Sequence, residues 1–589
     1  MTDTLEEIIL EGAPISGGIA IGSLFFLEGF QEEIVPEFSI PTAEVEKEIG
    51  RYRRAVHSSR EDLHDLQRFL AKEGSSEAVS IIDTHIQMLE DPFMTTFMEK
   101  KIRQRMKNTE TVFRSVMVDY EKEFSKVKDN FFKQRLLDVK DLSQRILRNL
   151  HPRKALKTED IPDNSIIFTK ELVPSSIAEA SKGQVKGFVT EIGGTTSHAA
   201  LIARSKGVPY VANISIDALF PYKGSPVIID GKTGTAIVNP SKATLDKYQS
   251  QQETDEAQKV ATIEEAEEGI QTKDGAKVTV FANIENLSDL DLLGPYKAEG
   301  IGLFRSEFLF FGKELETFSE EDQFVLYQQV MEKAKGMPVI FRTFDVGGDK
   351  GNVNLYEEEP NPALGCRGIR FLLRNKEIFV QQLRALLRVS LDGDLRILLP
   401  MISDVSELLE SKELLQEAAL QLRSEGHEIA DEIPIGCMIE VPSAVMTCDH
   451  LASACDFLSI GTNDLTQYTL AADRATQDVQ PFYKPLHPSI LRMIKRVVEA
   501  SEKQEIPVSL CGEMASNPLM TPLLLGLGVR KFSCASRYIP QVKKVIAQLS
   551  TNELRSLAEE ALSLHTAEEV ETFLSKAYGD LTFDEPSEV

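Results

Sequence analysis

Residues 457–474 read FLSIGTNDLTQYTLAADR, a short apolar run that ends in a carboxamide and a carboxylate, Asn463 and Asp464, with Arg474 just downstream. The run is too short for a core helix and fits a buried strand followed by a helical stretch. The same grammar recurs on both sides. KVTVFANI (277–284), GIGLFR (300–305), PVIFRTFD (338–345), LRILLPM (395–401), IPIGCMIE (433–440), IPVSLCGE (506–513) and RKFSCAS (530–536) each precede or follow a helical stretch. Eight such strands within about 300 residues predict a (β/α)8 barrel, whose chemistry gathers at the carboxy ends of the strands.

The polar residues at those ends are of one kind. The second run ends in Arg305, the third in Arg342 and Asp345, the fifth in Glu440, and the seventh in Cys511. Three arginines around one mouth call for an anionic, phosphorylated ligand, because guanidinium meets phosphate or carboxylate oxygens with two prongs. Glu440 and Asp464, on neighbouring strand ends, offer the sparse oxygen set that magnesium uses when substrate and water complete its shell. Cys511 opens a loop directly after an apolar strand, where its thiol either faces the ligand or is a small packing residue.

Upstream of the barrel, residues 11–28 alternate small and apolar residues around glycines and are expected to form a strand pair. From about Pro41 to Leu150 Gly and Pro are scarce and apolar residues recur at helical spacing, Ile82, Ile86 and Leu89, then Val139, Leu142, Ile146 and Leu150, which predicts a bundle of four helices. Strand signals return in SIIFTK, GFVTEI, PVIIDG and GTAIVN, so the bundle reads as an insert in one α/β domain. Within that domain GGTTSHAALIAR (193–204) places His198 in the first turn of a helix, behind residues of N-cap type. The positive end of a helix disfavours imidazolium, and its free amides suit a phosphate, so His198 is a candidate phosphorylated nucleophile. Residues 241–269 are polar and read as an exposed connecting helix or a linker.

Composition narrows the setting. With 92 Asp and Glu against 65 Lys and Arg, a net charge of −27 argues against nucleic acid and anionic membranes as partners. No apolar run is long enough to span a bilayer, and the acidic start, MTDTLEEIIL, lacks the order of a signal peptide, so a cytoplasmic protein is expected. All six cysteines lie in the carboxy-terminal half without zinc-ligand spacing.

GGTTSHAALIAR, GIGLFRSEFLF, FRTFDVGGDKG, IEVPSA, FLSIGTNDLTQYTLAADR and SLCGEMA, in this order, resemble enzyme I of the bacterial phosphoenolpyruvate:sugar phosphotransferase system, as do HIQMLED and DVKDLSQRILRNL in the helical stretch. The resemblance covers nearly the whole chain. It implies a swivelling α/β phosphohistidine domain (1–38 and 152–240) with an inserted helical bundle (39–151) that docks the small carrier protein HPr, a helical linker (241–270) acting as hinge, and a TIM barrel (271–589) that binds phosphoenolpyruvate and forms a homodimer.

By the same resemblance Arg305, Arg342, Asn463, Asp464 and Arg474 hold phosphoenolpyruvate, Glu440 and Asp464 bind Mg2+, His198 takes the phosphoryl group, and Cys511 protonates the departing enolate to pyruvate. His85 is implied to face the carrier or to pack. Three positions depart from the common pattern: Thr195 stands where a basic residue is frequent, Val173 where threonine is, and Cys366 where tryptophan is. ATP-consuming relatives that share histidine and barrel need a further nucleotide-binding domain, and no Walker-type loop is found. A regulatory relative that keeps only the fold would carry a broken metal or histidine site, and here each of those residues is present.

Overall fold

The computed structural model describes residues 7–26, 37–72, 93–124, 161–172, 185–193, 207–265, 269–285, 287–307, 318–347, 361–474 and 479–579, with scattered positions between 82 and 91, between 139 and 150, and at Ala200 and Ala203. The chain divides into two compact units, one up to Ala257 and one spanning Gln258–Asp584.

In the amino-terminal unit the described strands are β1 (Ile8–Glu11), β2 (Ala13–Ser16), β3 (Ile19–Phe26), β4 (Ser165–Glu171), β5 (Val185–Ile192), β6 (Tyr210–Ala212), β7 (Pro226–Asp230) and β8 (Thr235–Val238), forming one sheet in the order β1-β8-β7-β3-β4-β5-β6-β2. Strands form in residues 11–28 as expected, but they do not pair with each other. β2 lies antiparallel to β6, while β3 lies between β7 and β4 at some distance along the sheet. The reason is that β3 carries the long apolar run IAIGSLFF, which needs neighbours on both sides, whereas the proline of β2 (APIS) favours an edge. β4 runs parallel to β3, with Phe25 opposite Ile167, so one sheet is built from both flanks of the helical stretch.

That stretch contains helices Val45–Lys72, Met98–Arg105 and Thr109–Phe124. The residues picked out by helical spacing, Ile82, Ile86, Leu89, Val139, Leu142, Ile146 and Leu150, are all buried. His85 is fully buried among them, which favours packing over a carrier-facing role. Residues 242–265 form a helix. His198, Thr195 and Val173 lie outside the described residues.

In the second unit each of the eight apolar runs is a strand: β10 (Lys277–Ile284), β11 (Ile301–Arg305), β12 (Val339–Arg342), β13 (Leu395–Leu399), β14 (Ile435–Ile439), β15 (Phe457–Gly461), β16 (Val508–Cys511) and β17 (Lys531–Ala535), after a short β9 (Ile270–Gln271) antiparallel to β10. All eight pair in parallel with their neighbours, and β10 pairs with both β11 and β17, which closes the ring. β14 and β15 are buried along their whole length because one face lies inside the barrel and the other beneath helices. Leu303, Ile340, Leu398, Met438, Phe457 and Cys511 make a cluster of their own, separate from the larger core that includes Phe341, Ile397, Ile439 and Leu458.

Candidate active site at the mouth of the barrel

The strand ends supply the polar residues, and the residues that follow each strand set their height. Arg305 and Arg342 are the last residues of β11 and β12 and lie side by side in register. Glu440 directly follows β14, and Asn463 and Asp464 sit in the first turn of helix Thr462–Leu470, which begins where β15 stops. Cys511 ends β16, opposite Gly461.

Gly512 then turns the chain at φ +97°, a conformation that disfavours any side chain. A Cβ there would also come 2.9 Å from Asn463 Oδ1 and against Thr462 Oγ1. The turn brings the backbone N–H of Glu513 to donate to Asn463 Oδ1 at 3.0 Å.

A buried ion-pair network runs beneath the mouth. Arg342 reaches Glu307 Oε1 through Nη2 at 3.1 Å and Asp345 Oδ2 through Nη1 at 3.3 Å. Arg367, fully buried, clasps Asp345 with Nε at 3.1 Å and Nη2 at 3.0 Å, touches Asp464 Oδ1 at 3.3 Å, and donates from Nη1 to the Tyr468 hydroxyl at 3.1 Å. Tyr468 in turn donates to the carbonyl of Ala363 at 2.7 Å. Burial opposes the charge on Arg342, but Glu307, Asp345 and Glu440 outweigh it and hold the guanidinium firmly protonated. For Arg367 burial is likewise overcome, by Asp345 and Asp464. Buried charges persist only when paired in this way.

Glu440 accepts from the backbone N–H of Met401 at 2.6 Å and is buried. Burial, reinforced by Asp464 and Asp345, pushes its carboxyl up to about 7 against the opposing pull of Arg342 and Arg367. Here carboxylates crowd with oxygen as the only donor atom, and Arg342 and Arg367 only partly relieve the crowding; such a set fits a hard divalent cation. Among the described residues no group of three or more His, Cys, Asp or Glu side chains could hold a metal ion unaided, so substrate and water oxygens would have to complete the shell.

The rim is looser. Arg305 Nη1 meets Glu285 Oε1 at 2.8 Å, and Arg474 Nη1 meets Glu513 Oε1 at 3.6 Å. Asn463 donates from Nδ2 to the same Glu513 oxygen at 3.0 Å. The Nε atoms of Arg305 and Arg342 are buried without a hydrogen-bond partner among the described residues, a state that an anionic ligand could relieve. Cys511 faces the barrel interior near the Ser459 hydroxyl, at 3.5 Å, and the carbonyl of Ile460, at 3.4 Å. Burial pushes its thiol up to about 11.

The structure therefore gathers the expected residues of the second unit, Arg305, Arg342, Glu440, Asn463, Asp464, Arg474 and Cys511, at one end of the barrel. Comparison with known proteins agrees in domain order. Residues 11–135 match the family model "PEP-utilising enzyme, N-terminal", residues 161–234 "PEP-utilising enzyme, mobile domain" and residues 259–551 "PEP-utilising enzyme, PEP-binding domain". The phosphoenolpyruvate-protein phosphotransferase of Staphylococcus carnosus is 36% identical over 567 residues, covering 95% of this chain and 97% of that protein. The chain belongs to the phosphoenolpyruvate-protein phosphotransferase family.

Within that family, the phosphoenolpyruvate-protein phosphotransferase of Listeria monocytogenes is 37% identical over 96% of this chain and 99% of its own length. Among solved structures, a solution structure of an enzyme I protein is 30% identical, covering 42% of this chain and 99% of that one at a TM-score of 0.36. Membership makes this chain a transferase with a phosphoenolpyruvate-utilising architecture. The side chains of this network that sequence reading missed are Arg367, Glu307, Glu285, Glu513 and Tyr468. Arg367 carried no local signal, since Asp345, the residue it clasps, lies 22 positions earlier in the chain.

Proposed function

We propose that this chain takes the phosphoryl group of phosphoenolpyruvate onto His198, releases pyruvate, and passes the group to a histidine of the carrier HPr, the first step of sugar uptake or regulation by the phosphotransferase system. The observation that carries this reading is the arginine ring. Arg305, Arg342 and Arg474 converge on one mouth with Asn463, and phosphoenolpyruvate carries about three negative charges that such a ring can spread over paired oxygens.

Arg305 and Arg342 bind and orient the phosphoryl and carboxylate oxygens, with Asn463 and Arg474 on the opposite rim. Mg2+, held by Glu440 and Asp464, would neutralise charge on the phosphoryl and enolate oxygens. Cys511 keeps its proton at neutral pH and delivers it to the enolate carbon once the phosphoryl group has left, and the thiolate then regains a proton from water. The imidazole of His198 is the nucleophile of this reading and attacks the phosphorus in line.

The domain assignment goes with the function: residues 1–38 and 152–240 carry His198, 39–151 dock HPr, 241–270 link, and 271–589 bind phosphoenolpyruvate and form the homodimer. No helix among the described residues is long and apolar enough to cross a membrane, and a cytoplasmic enzyme fits this. Incubation with 32P-labelled phosphoenolpyruvate and magnesium, with and without HPr, tests the reading. Label that is acid-labile, maps to His198 and moves to HPr is the expected result; label that requires ATP or settles elsewhere would overturn it.

A further inference from the structure

We infer that Glu513 tunes substrate affinity by competing, through its own carboxylate, for Asn463 and Arg474, the two rim groups that would hold an anionic group of the substrate. The inference rests on the reading of the site given above. One oxygen, Glu513 Oε1, accepts from Asn463 Nδ2 at 3.0 Å and lies 3.6 Å from Arg474 Nη1. A carboxylate in contact with both a carboxamide N–H and a guanidinium makes the kind of contact expected of a substrate carboxylate or phosphate.

Two further features separate this glutamate from the carboxylates beneath the mouth. The Asp345–Arg367 pair is two-pronged and completely buried, so it is a fixed part of the frame. The Glu513–Arg474 pair is single-pronged and long, with the side chains 63% and 37% exposed, so it is easily exchanged for another anion.

The backbone of Glu513, in contrast, is fixed: its N–H donates to Asn463 Oδ1 after the turn at Gly512. The side chain can leave while its attachment stays. Arg305 and Glu285 repeat the arrangement across the rim, at 2.8 Å with 35% and 49% exposure.

The test uses the full chain and the variants Glu513→Gln, Glu513→Asp and Arg474→Ala, titrated calorimetrically with phosphoenolpyruvate and magnesium and assayed for KM. Gln keeps an oxygen for the Asn463 amide and removes the charge that meets Arg474. Glu513→Gln is expected to bind roughly two- to five-fold more tightly and to lower KM by the same factor, the range that an exposed ion pair supports. Glu513→Asp, which keeps the charge, is expected to return toward the parent value, and Arg474→Ala to bind at least ten-fold more weakly. Unchanged or weaker binding by Glu513→Gln would overturn the inference, weaker binding making Glu513 a brace for Arg474. Arg474→Ala binding as tightly as the parent would overturn the reading of the site itself, and this inference with it.

Discussion

Arg367 and Asp345 face each other along two parallel hydrogen bonds, Nε to Oδ1 at 3.1 Å and Nη2 to Oδ2 at 3.0 Å, with neither side chain exposed to solvent. Removing one partner strands a buried charge. Asp345→Ala is therefore expected to cost about 3–5 kcal/mol of stability, read from denaturant unfolding. Replacing both partners with apolar residues of similar volume should restore most of that loss while leaving phosphoenolpyruvate binding impaired, because Arg342 and Asp464 also lean on the pair. Recovery of binding together with stability would show that the pair serves the fold alone.

Cys511 is expected to act as an acid. Burial raises its thiol from the ordinary 9.0 to about 11. A folded value above the unfolded one means that the associated stability is full below about pH 9 and is lost as pH rises through about 11. Alkylation by iodoacetamide in the intact chain should follow the same shift, with its midpoint near 11. Cys511→Ala should slow pyruvate release by at least ten-fold while single-turnover labelling of the protein persists. Turnover equal to that of the parent would reduce this cysteine to a packing residue.

His198→Ala should abolish acid-labile label from phosphoenolpyruvate. His85→Ala should keep it, since His85 is fully buried. The cost there is in stability, about 1–3 kcal/mol for a buried polar side chain lost to a cavity. Comparable label on another histidine in the His198→Ala protein would redirect the assignment.

A fragment ending near residue 257 retains the whole amino-terminal unit with its own sheet core of Leu24, Ile166, Val189 and Ile229. It should fold and accept phosphate from phosphorylated HPr. It lacks every arginine of the barrel mouth, so phosphoenolpyruvate should leave it unlabelled at any magnesium concentration. Labelling would place the donor site outside the barrel.

The barrel was legible because each strand is a short, largely apolar run between helical stretches, a pattern set by burial on two faces. The barrel mouth was legible to a similar extent: Arg305, Arg342 and Cys511 end strands and Glu440 follows one, whereas Asn463 and Asp464 open the helix after β15 and Arg474 lies beyond that helix. Arg367 was not, because its importance comes from the distance to Asp345, 22 residues earlier, and no local pattern encodes that. Glu513 sat in a quoted motif, yet its hold on Asn463 depends on the turn at Gly512. The pairing of β2 escaped for a related reason: alternation identifies a strand but not its neighbour, and β6, nearly two hundred residues on, supplies it.

The pairing of β10 with β17, Thr279 opposite Lys531 through Asn283 opposite Ala535, closes the barrel across about 250 residues of chain. On the ribosome this joint is among the last to form. Until residue 535 has emerged, β10 and β16 remain open edges able to accept a strand from another molecule. The rim arginines come from segments that stand in their final places only after closure, so a nascent chain is expected to gain its affinity for the substrate in one late step. Synthesis that stalls before Lys531 should then yield an aggregation-prone product that binds no phosphoenolpyruvate.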